Sequence, residues 1–232
     1  QINLIFKDIT DYHIYLIEQE SDRENYDKLP EELKQKGSKM AKFNLGILKN
    51  IGFKLANDKN KDIENSYYIL SDVDLLPSNE LLEDYLKYPE TPIHLGNKGT
   101  RYTGNTENFL GGVLSVNSED FTKSNGYPNN FWGWGGEDDA LKRRLDRNNI
   151  RIERPEGSVI DLEELNLTEK LEGLKQNQSK EYLKKEKLEE DKTLWDKNGL
   201  NTLDGLYKIM SEEQYGGSKN ISHYKVYLKV DD

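Results

Sequence analysis

Apolar and polar positions along this chain repeat with a period that switches between two and about four, and the switches outline its elements. Residues 12–17, Tyr-His-Ile-Tyr-Leu-Ile, read as a strand. Residues 38–55 bring Met40, Phe43, Leu48, Ile51 and Leu55 back at helical spacing. Tyr67-Tyr-Ile-Leu70 is a run of β-formers, and it is expected to close a βαβ unit, the usual cradle of a nucleotide. The polar, proline-interrupted residues 21–37 read as a loop. Ser78 has the place of an N-cap for a short helix over 78–85, and residues 91–108 carry the Gly, Thr and Asn of a long connection. Ala140, Leu141 and Leu145 start another helical period. Residues 162–195 are strongly charged, with Glu181 and Lys185 spaced as a helical ion pair, so a solvated helix is expected there. The closing Tyr224-Lys-Val-Tyr-Leu-Lys-Val230 reads as an outer strand of a sheet. These alternations predict a single α/β domain with a mixed central sheet and a charged helical C-terminal part.

Composition narrows the partners. The 232 residues suit one domain with a sizeable core. A net charge of -10 argues against a nucleic-acid groove or an anionic membrane surface. No apolar run has the length of a transmembrane helix, and the N-terminal residues lack a signal-peptide pattern. There is no cysteine, which excludes disulfides, zinc-thiolate sites and cysteine nucleophiles and predicts a reducing, cytoplasmic location. His13, His94 and His223 are scattered and read as structural; only the loop of His94 leads toward a candidate site.

Two stretches carry candidate chemistry. Ser71-Asp-Val-Asp-Leu-Leu-Pro77 follows the strand, so Asp72 and Asp74 sit at its carboxyl end, where ligands bind in open α/β sheets. An Asp-x-Asp there either holds a hard divalent ion and through it a diphosphate, or serves a turn. Tyr127-Pro-Asn-Asn-Phe-Trp-Gly-Trp-Gly-Gly-Glu-Asp-Asp139 places indoles among glycines, as in a wall for a sugar ring or a base. Glu137, Asp138 and Asp139 either line that wall or are first-turn acids of the following helix.

These motifs, in this order and at these separations, resemble the β-1,4-galactosyltransferases. Asp72-Val-Asp74 is similar to their Asp-Val-Asp motif, Phe109-Leu-Gly-Gly-Val113 to their Gly-Gly-Val segment, and residues 125–139 to their acceptor-site signature. Phe43-Asn44, Arg154-Pro155 and Asn198-Gly-Leu-Asn-Thr-Leu203 extend the match over most of the chain. The resemblance implies a GT-A-like, nucleotide-sugar-binding domain: an inverting hexosyltransferase moving galactose or N-acetylgalactosamine from a UDP-sugar to a sugar hydroxyl with Mn²⁺, or Mg²⁺ in its place. It implies Asp138 as general base, Asp139 and Trp134 as acceptor contacts, and Asp74 as metal ligand. Asp72, Phe43, Lys98, Phe109, Gly111, Gly112 and Glu137 would surround the nucleotide and donor, with Arg101 an alternative to Lys98 for the phosphates.

Departures from the family pattern are as specific. Relatives carry a metal-binding histidine after Arg-Pro, whereas residues 156–170 contain none; they offer Asp161, Glu163, Glu164 and Glu169, either as oxygen ligands or as acids of the charged helix. The Phe-Asn-Arg of relatives reads Phe43-Asn44-Leu45, and no Pro-Phe-Arg precedes Tyr12. Residues 156–175 are a candidate lid with Gly157 as hinge. The expected organisation is a nucleotide-binding part at 1–77, donor and acceptor sites at 78–155, and lid, charged helix and closing strands at 156–232. The competing expectation is a transferase-like module that binds a glycan or partner without catalysis. Animal members of the family work in the Golgi lumen, the location expected if this chain is excised from an anchored protein.

Overall fold

The computed structural model describes residues 6, 11–20, 26–35, 41–99, 107–177 and 183–230. Strand β1 (Ile14–Gln19) pairs in parallel with β8 (Ile221–Leu228), and β8 pairs antiparallel with β7 (Tyr207–Gln214), making a mixed sheet of order β1-β8-β7. A second sheet has the order β2-β5-β4, built from β2 (Tyr67–Ser71), β5 (Val113–Asn117) and β4 (Ile93–His94), all antiparallel. β3 (Leu75–Pro77) and β6 (Val159–Asp161) form a short antiparallel pair in which Leu75 faces Asp161.

Helix α1 (Leu45–Lys59) lies between the two larger sheets. Asn44 caps it, its side chain accepting from the Ile47 amide at 3.0 Å. Ile47, Leu48 and Ile51 pack with Tyr224, Val226 and Leu228 of β8, while Phe53 packs with Tyr68, Leu70, Leu114 and Phe121. Residues 46–51 are all buried for that reason. Each large apolar side chain so buried contributes about 1.5–3 kcal/mol. A third cluster, with Leu75, Leu81, Ile93, Leu95, Val113 and Val159, joins the short β3-β6 pair to β4 and β5. Helices α2 (Leu82–Leu86), α3 (Ser118–Lys123), α4 (Glu137–Arg147), α5 (Leu167–Gln176) and α6 (Lys184–Leu194) complete the described elements of regular helix.

The structure corrects three sequence expectations. The closing strand is central, because β1 and β7 cover both of its edges. Its partner β7 escaped notice since Tyr207–Gln214 is almost wholly exposed and lacks an apolar face. The expected βαβ unit is not a hydrogen-bonded one: β1 pairs with β8 and β2 with β5, so the two strands flanking α1 belong to different sheets. The connection at 91–108 also contains β4, a strand of two residues, too short for an alternation to register.

Candidate functional site

The loop at 125–130 is held by asparagine side chains. Asn50 of α1 donates to the Tyr127 carbonyl at 2.8 Å and accepts from the Tyr127 amide at 2.9 Å. Asn44 donates to the Asn129 carbonyl, and Asn129 donates in turn to the Gly199 carbonyl at 2.8 Å. These residues are buried, and amides that satisfy backbone groups from both sides leave the loop one geometry. Arg144, fully buried on α4, adds bonds to the carbonyls of Gly126 at 2.9 Å and Asn198 at 2.7 Å, and pairs with buried Asp191 of α6.

After the loop the chain turns on glycines. Gly135 and Gly136 have φ of 102° and 109°, and a Cβ on Gly136 would stand 2.5 Å from the Phe131 ring, so only glycine fits between that ring and the start of α4. The Gly133 amide donates to the Phe43 carbonyl at 2.7 Å, fastening this turn beside the N-terminus of α1. Trp132 is buried against the α1–β8 core, whereas Trp134 is half-buried. The wall of two indoles expected from the sequence is therefore one accessible indole; the other is core.

Three elements bring acids and one buried cation together. Asp72 follows β2, its amide donating to the Gly112 carbonyl at 3.0 Å. Lys49 of α1 is buried and places Nζ 2.8 Å from Asp72 Oδ1, over the face of Tyr127 at 5.4 Å. Glu137 and Asp138 open α4, where the helix N-terminus favours negative charge. A Cβ on Gly111 would lie 2.6 Å from Asp138 Oδ2, so the Gly111-Gly112 backbone runs directly against that carboxylate. The Tyr127 hydroxyl, Glu137 Oε2 and Asp138 Oδ1 are buried without a hydrogen-bond partner among the described residues. Orphaned polar atoms gathered at one place mark where a ligand's polar groups belong. Asp139, on the outer side, pairs with Lys184 of α6 at 2.7 Å.

Burial raises the Asp138 carboxyl above the ordinary aspartate range; Asp72 and Asp139 push it the same way, and Lys49 and Lys184 oppose them. Burial raises Glu137 too, reinforced by Asp138. For Lys49, burial opposes the charge, but Asp72, Tyr127 and Asp138 outweigh it and hold its pKa well above the usual lysine value.

The Asp74 carbonyl accepts from the Leu162 amide at 2.8 Å, continuing the β3-β6 ladder. Asp74, Asp161 and Glu163 each bring a carboxylate oxygen within 4.8 Å of the others. Glu164, with φ of 54°, does not join them, and the Glu169 carboxylate closes a capping box with Asn166 at the start of α5. Of the four acids weighed from the sequence, Asp161 and Glu163 thus converge on Asp74. Lys170 also reaches Glu163, at 2.5 Å.

Around the glycines, His94 donates through Nε2 to the Gly111 carbonyl at 2.9 Å and meets the Phe109 ring edge to face. Burial pulls this histidine down to about 4, so it is neutral near pH 7 and acts as a strut. Lys98 pairs with Glu156, and Arg101 lies outside the described residues. Gly157 is buried, with a Cβ position 2.8 Å from the Leu81 side chain. Lys49, Tyr127 and the Arg144–Asp191 pair were not singled out from the sequence. Arg144 had left a signal, since it shares the apolar spacing of Ala140, Leu141 and Leu145.

Gly111→Ala tests this packing. The added methyl collides with Asp138 and the Phe109 ring, so any turnover that uses the Asp138 carboxylate is expected to fall by at least about tenfold with a melting temperature close to that of the parent, read by initial rates and thermal unfolding.

A family model described as the N-terminal domain of galactosyltransferase matches residues 91–170. Human β-1,4-galactosyltransferase 4 is 40% identical over 117 residues, which are 49% of this chain and 32% of that protein. Rat β-1,4-galactosyltransferase 6 is 41% identical over 119 residues, 50% of this chain and 30% of that protein. The chain thus spans about a third of the length of these relatives. Among solved structures, a mutant Drosophila β-1,4-galactosyltransferase 7 in complex with manganese, UDP-Gal and xylobiose superimposes with a TM-score of 0.69 at 25% identity, covering 99% of this chain and 86% of that one. The catalytic domain of the Drosophila protein with xylobiose gives 0.64 at 26% identity, covering 95% and 96%. The fold is accordingly the GT-A-like one expected from the sequence. The cytoplasmic location read from the missing cysteines does not stand, because the relatives are Golgi β-1,4-galactosyltransferases. Among the described residues no helix is long and apolar enough to cross a membrane.

Proposed function

We propose that this chain, which is similar to the β-1,4-galactosyltransferases, is an inverting hexosyltransferase that moves galactose from UDP-galactose to a hydroxyl of a carbohydrate acceptor in the presence of Mn²⁺. The observation that carries this reading is the Asp138 carboxylate, with one oxygen buried and unpartnered and the other against Gly111. A raised carboxyl of this kind is suited to take a proton near neutral pH. The acceptor lies on Trp134 with Asp139 beside it, and Asp138 accepts the proton of the attacking hydroxyl. The acceptor oxygen then bonds to the anomeric carbon as the bond to the diphosphate breaks, with inversion. Gly111 and Gly112 let the donor sugar lie on the backbone next to Glu137, and Asp72, Phe43 and Lys98 face the nucleotide.

Asp74, Asp161 and Glu163 fit a hard divalent cation, since all three donors are oxygens and octahedral ligands about 2.1 Å from an ion lie about 3–4 Å apart. When bound, the ion supplies Lewis-acid neutralisation of the departing diphosphate. Mg²⁺ suits the same donors. Phe109 keeps an aromatic ring over the donor glycines without a hydroxyl, which favours galactose with tolerance for N-acetylgalactosamine.

Calorimetric titration with UDP, with and without Mn²⁺, tests the proposal. Binding that requires the ion and is weakened by Asp74→Asn is expected, and a donor screen by product mass spectrometry should show transfer from UDP-galactose. Glycan binding with no nucleotide binding would instead make the chain a binding module, and productive transfer from UDP-glucose alone would overturn the donor assignment.

A further inference from the structure

Lys49 comes from a helix interior and is buried, with 7% of it exposed. A lysine is rarely so buried unless paired, and its direct partner, Asp72, is itself about a quarter exposed. The Asp72 oxygen that Lys49 reaches is nonetheless buried, and Asp72 meets the same glycine pair as Asp138: its amide bonds to the Gly112 carbonyl, while Asp138 Oδ2 lies against Gly111. Glu137 and Asp138 each have an oxygen buried and unpartnered. Asp138 is faced by Lys49 from α1, Asp72 from the end of β2, Tyr127 from the loop, Glu137 and Asp139 on its own helix, and Lys184 from α6. Lys184, half exposed and paired with Asp139, acts from the outer side, whereas Lys49 reaches the cluster from within the core.

We infer that Lys49 is a positioning residue for the transfer reaction, fixing Asp72 at the end of β2 and holding Asp138 in the charged form that takes the acceptor proton. This rests on the reading of Asp138 as the base. With Glu137 and Asp138 adjacent at the start of α4 and one buried cation beside them, that cation favours the charged form of Asp138. A neutral side chain at position 49 removes that attraction and leaves Asp138 beside Glu137 alone, which favours its protonation. Asp138 then becomes an acid where a base is needed. The interactions acting on the two groups have this sign, Lys49 lowering Asp138 and Asp138 raising Lys49.

Lys49→Met, with Lys49→Arg as the charge-conserving variant, tests the inference through the pH profile of kcat. The acid limb is expected to move up by about one pH unit in Lys49→Met, making the variant about tenfold slower on that limb and less impaired at higher pH. Lys49→Arg should bring the limb back. A uniform loss at every pH, or a limb that stays in place, would reduce Lys49 to a packing role and overturn the inference. Carbon NMR of the Asp138 carboxyl in the substrate-free protein gives an independent reading. The unaltered protein must show it ionised at about pH 7.5, and a protonated group there overturns the inference even if Lys49→Met does not fold. Failure of the unaltered protein to transfer galactose would refute the proposed function instead, and the NMR titration would still report whether Lys49 governs Asp138.

Discussion

Asp138→Asn is expected to lower turnover by about two to four orders of magnitude while UDP and Mn²⁺ binding survive, because a positioned general base contributes about that much. The amide matches the carboxylate in shape, still fits against Gly111, and is tolerated at a helix start, so the fold should persist. Steady-state rates, UDP calorimetry and a melting curve on the same preparation separate loss of chemistry from loss of structure. Near-normal turnover would remove Asp138 from the catalytic role. In the parent, burial raises the carboxyl, so activity should be complete above the raised pKa and decline as the pH falls through it. The acid limb should then lie above the value of about 4 typical of an exposed aspartate.

Asp191→Ala should be the most damaging single change to stability, by about 3–5 kcal/mol, since it leaves the Arg144 guanidinium buried without its counter-charge. Denaturant unfolding measures this directly. Replacing both partners together, Arg144→Met with Asp191→Leu, should cost less than Asp191→Ala alone, because no uncompensated charge is left inside. A loss below about 1 kcal/mol for Asp191→Ala would show that Arg144 is satisfied by its bonds to the Gly126 and Asn198 carbonyls.

What could be read in the sequence was whatever is written in neighbouring residues. The apolar spacing of α1, the strand ending at Asp72 and the acids opening α4 are local patterns, and the structure has an element at each. Lys49 was illegible because a lysine in a helix reads as solvated, and its partner is on another element. Asp191 was hidden in a run of charges whose other members are mostly exposed. Among the acids after Arg154-Pro155, composition could not distinguish Glu163 from Glu164 or Glu169. That choice depends on the backbone beyond β6, where Leu162 bonds back to Asp74 and Glu164 takes a left-handed conformation. Trp132 and Trp134 are alike in sequence, and only the cavity between α1 and β8 decides which one is core.

The pairing of β1 with β8 has a consequence for biosynthesis. Ser222, within β8, meets His13, 209 residues away in the sequence, so this sheet closes only after nearly all of the described chain has emerged from the ribosome. Long-range parallel pairing of this kind is slow to form. Until β8 arrives, α1 can settle on β2 and β5 through Phe53, but its other face, Ile47, Leu48 and Ile51, stays uncovered, and β1 has an open edge. The nascent chain therefore passes through a half-dressed state with an apolar helix face and an unpaired strand exposed together. An apolar face and an unpaired strand exposed together favour aggregation during that interval, and a chain terminated before Ile221 would lack the strand that covers them.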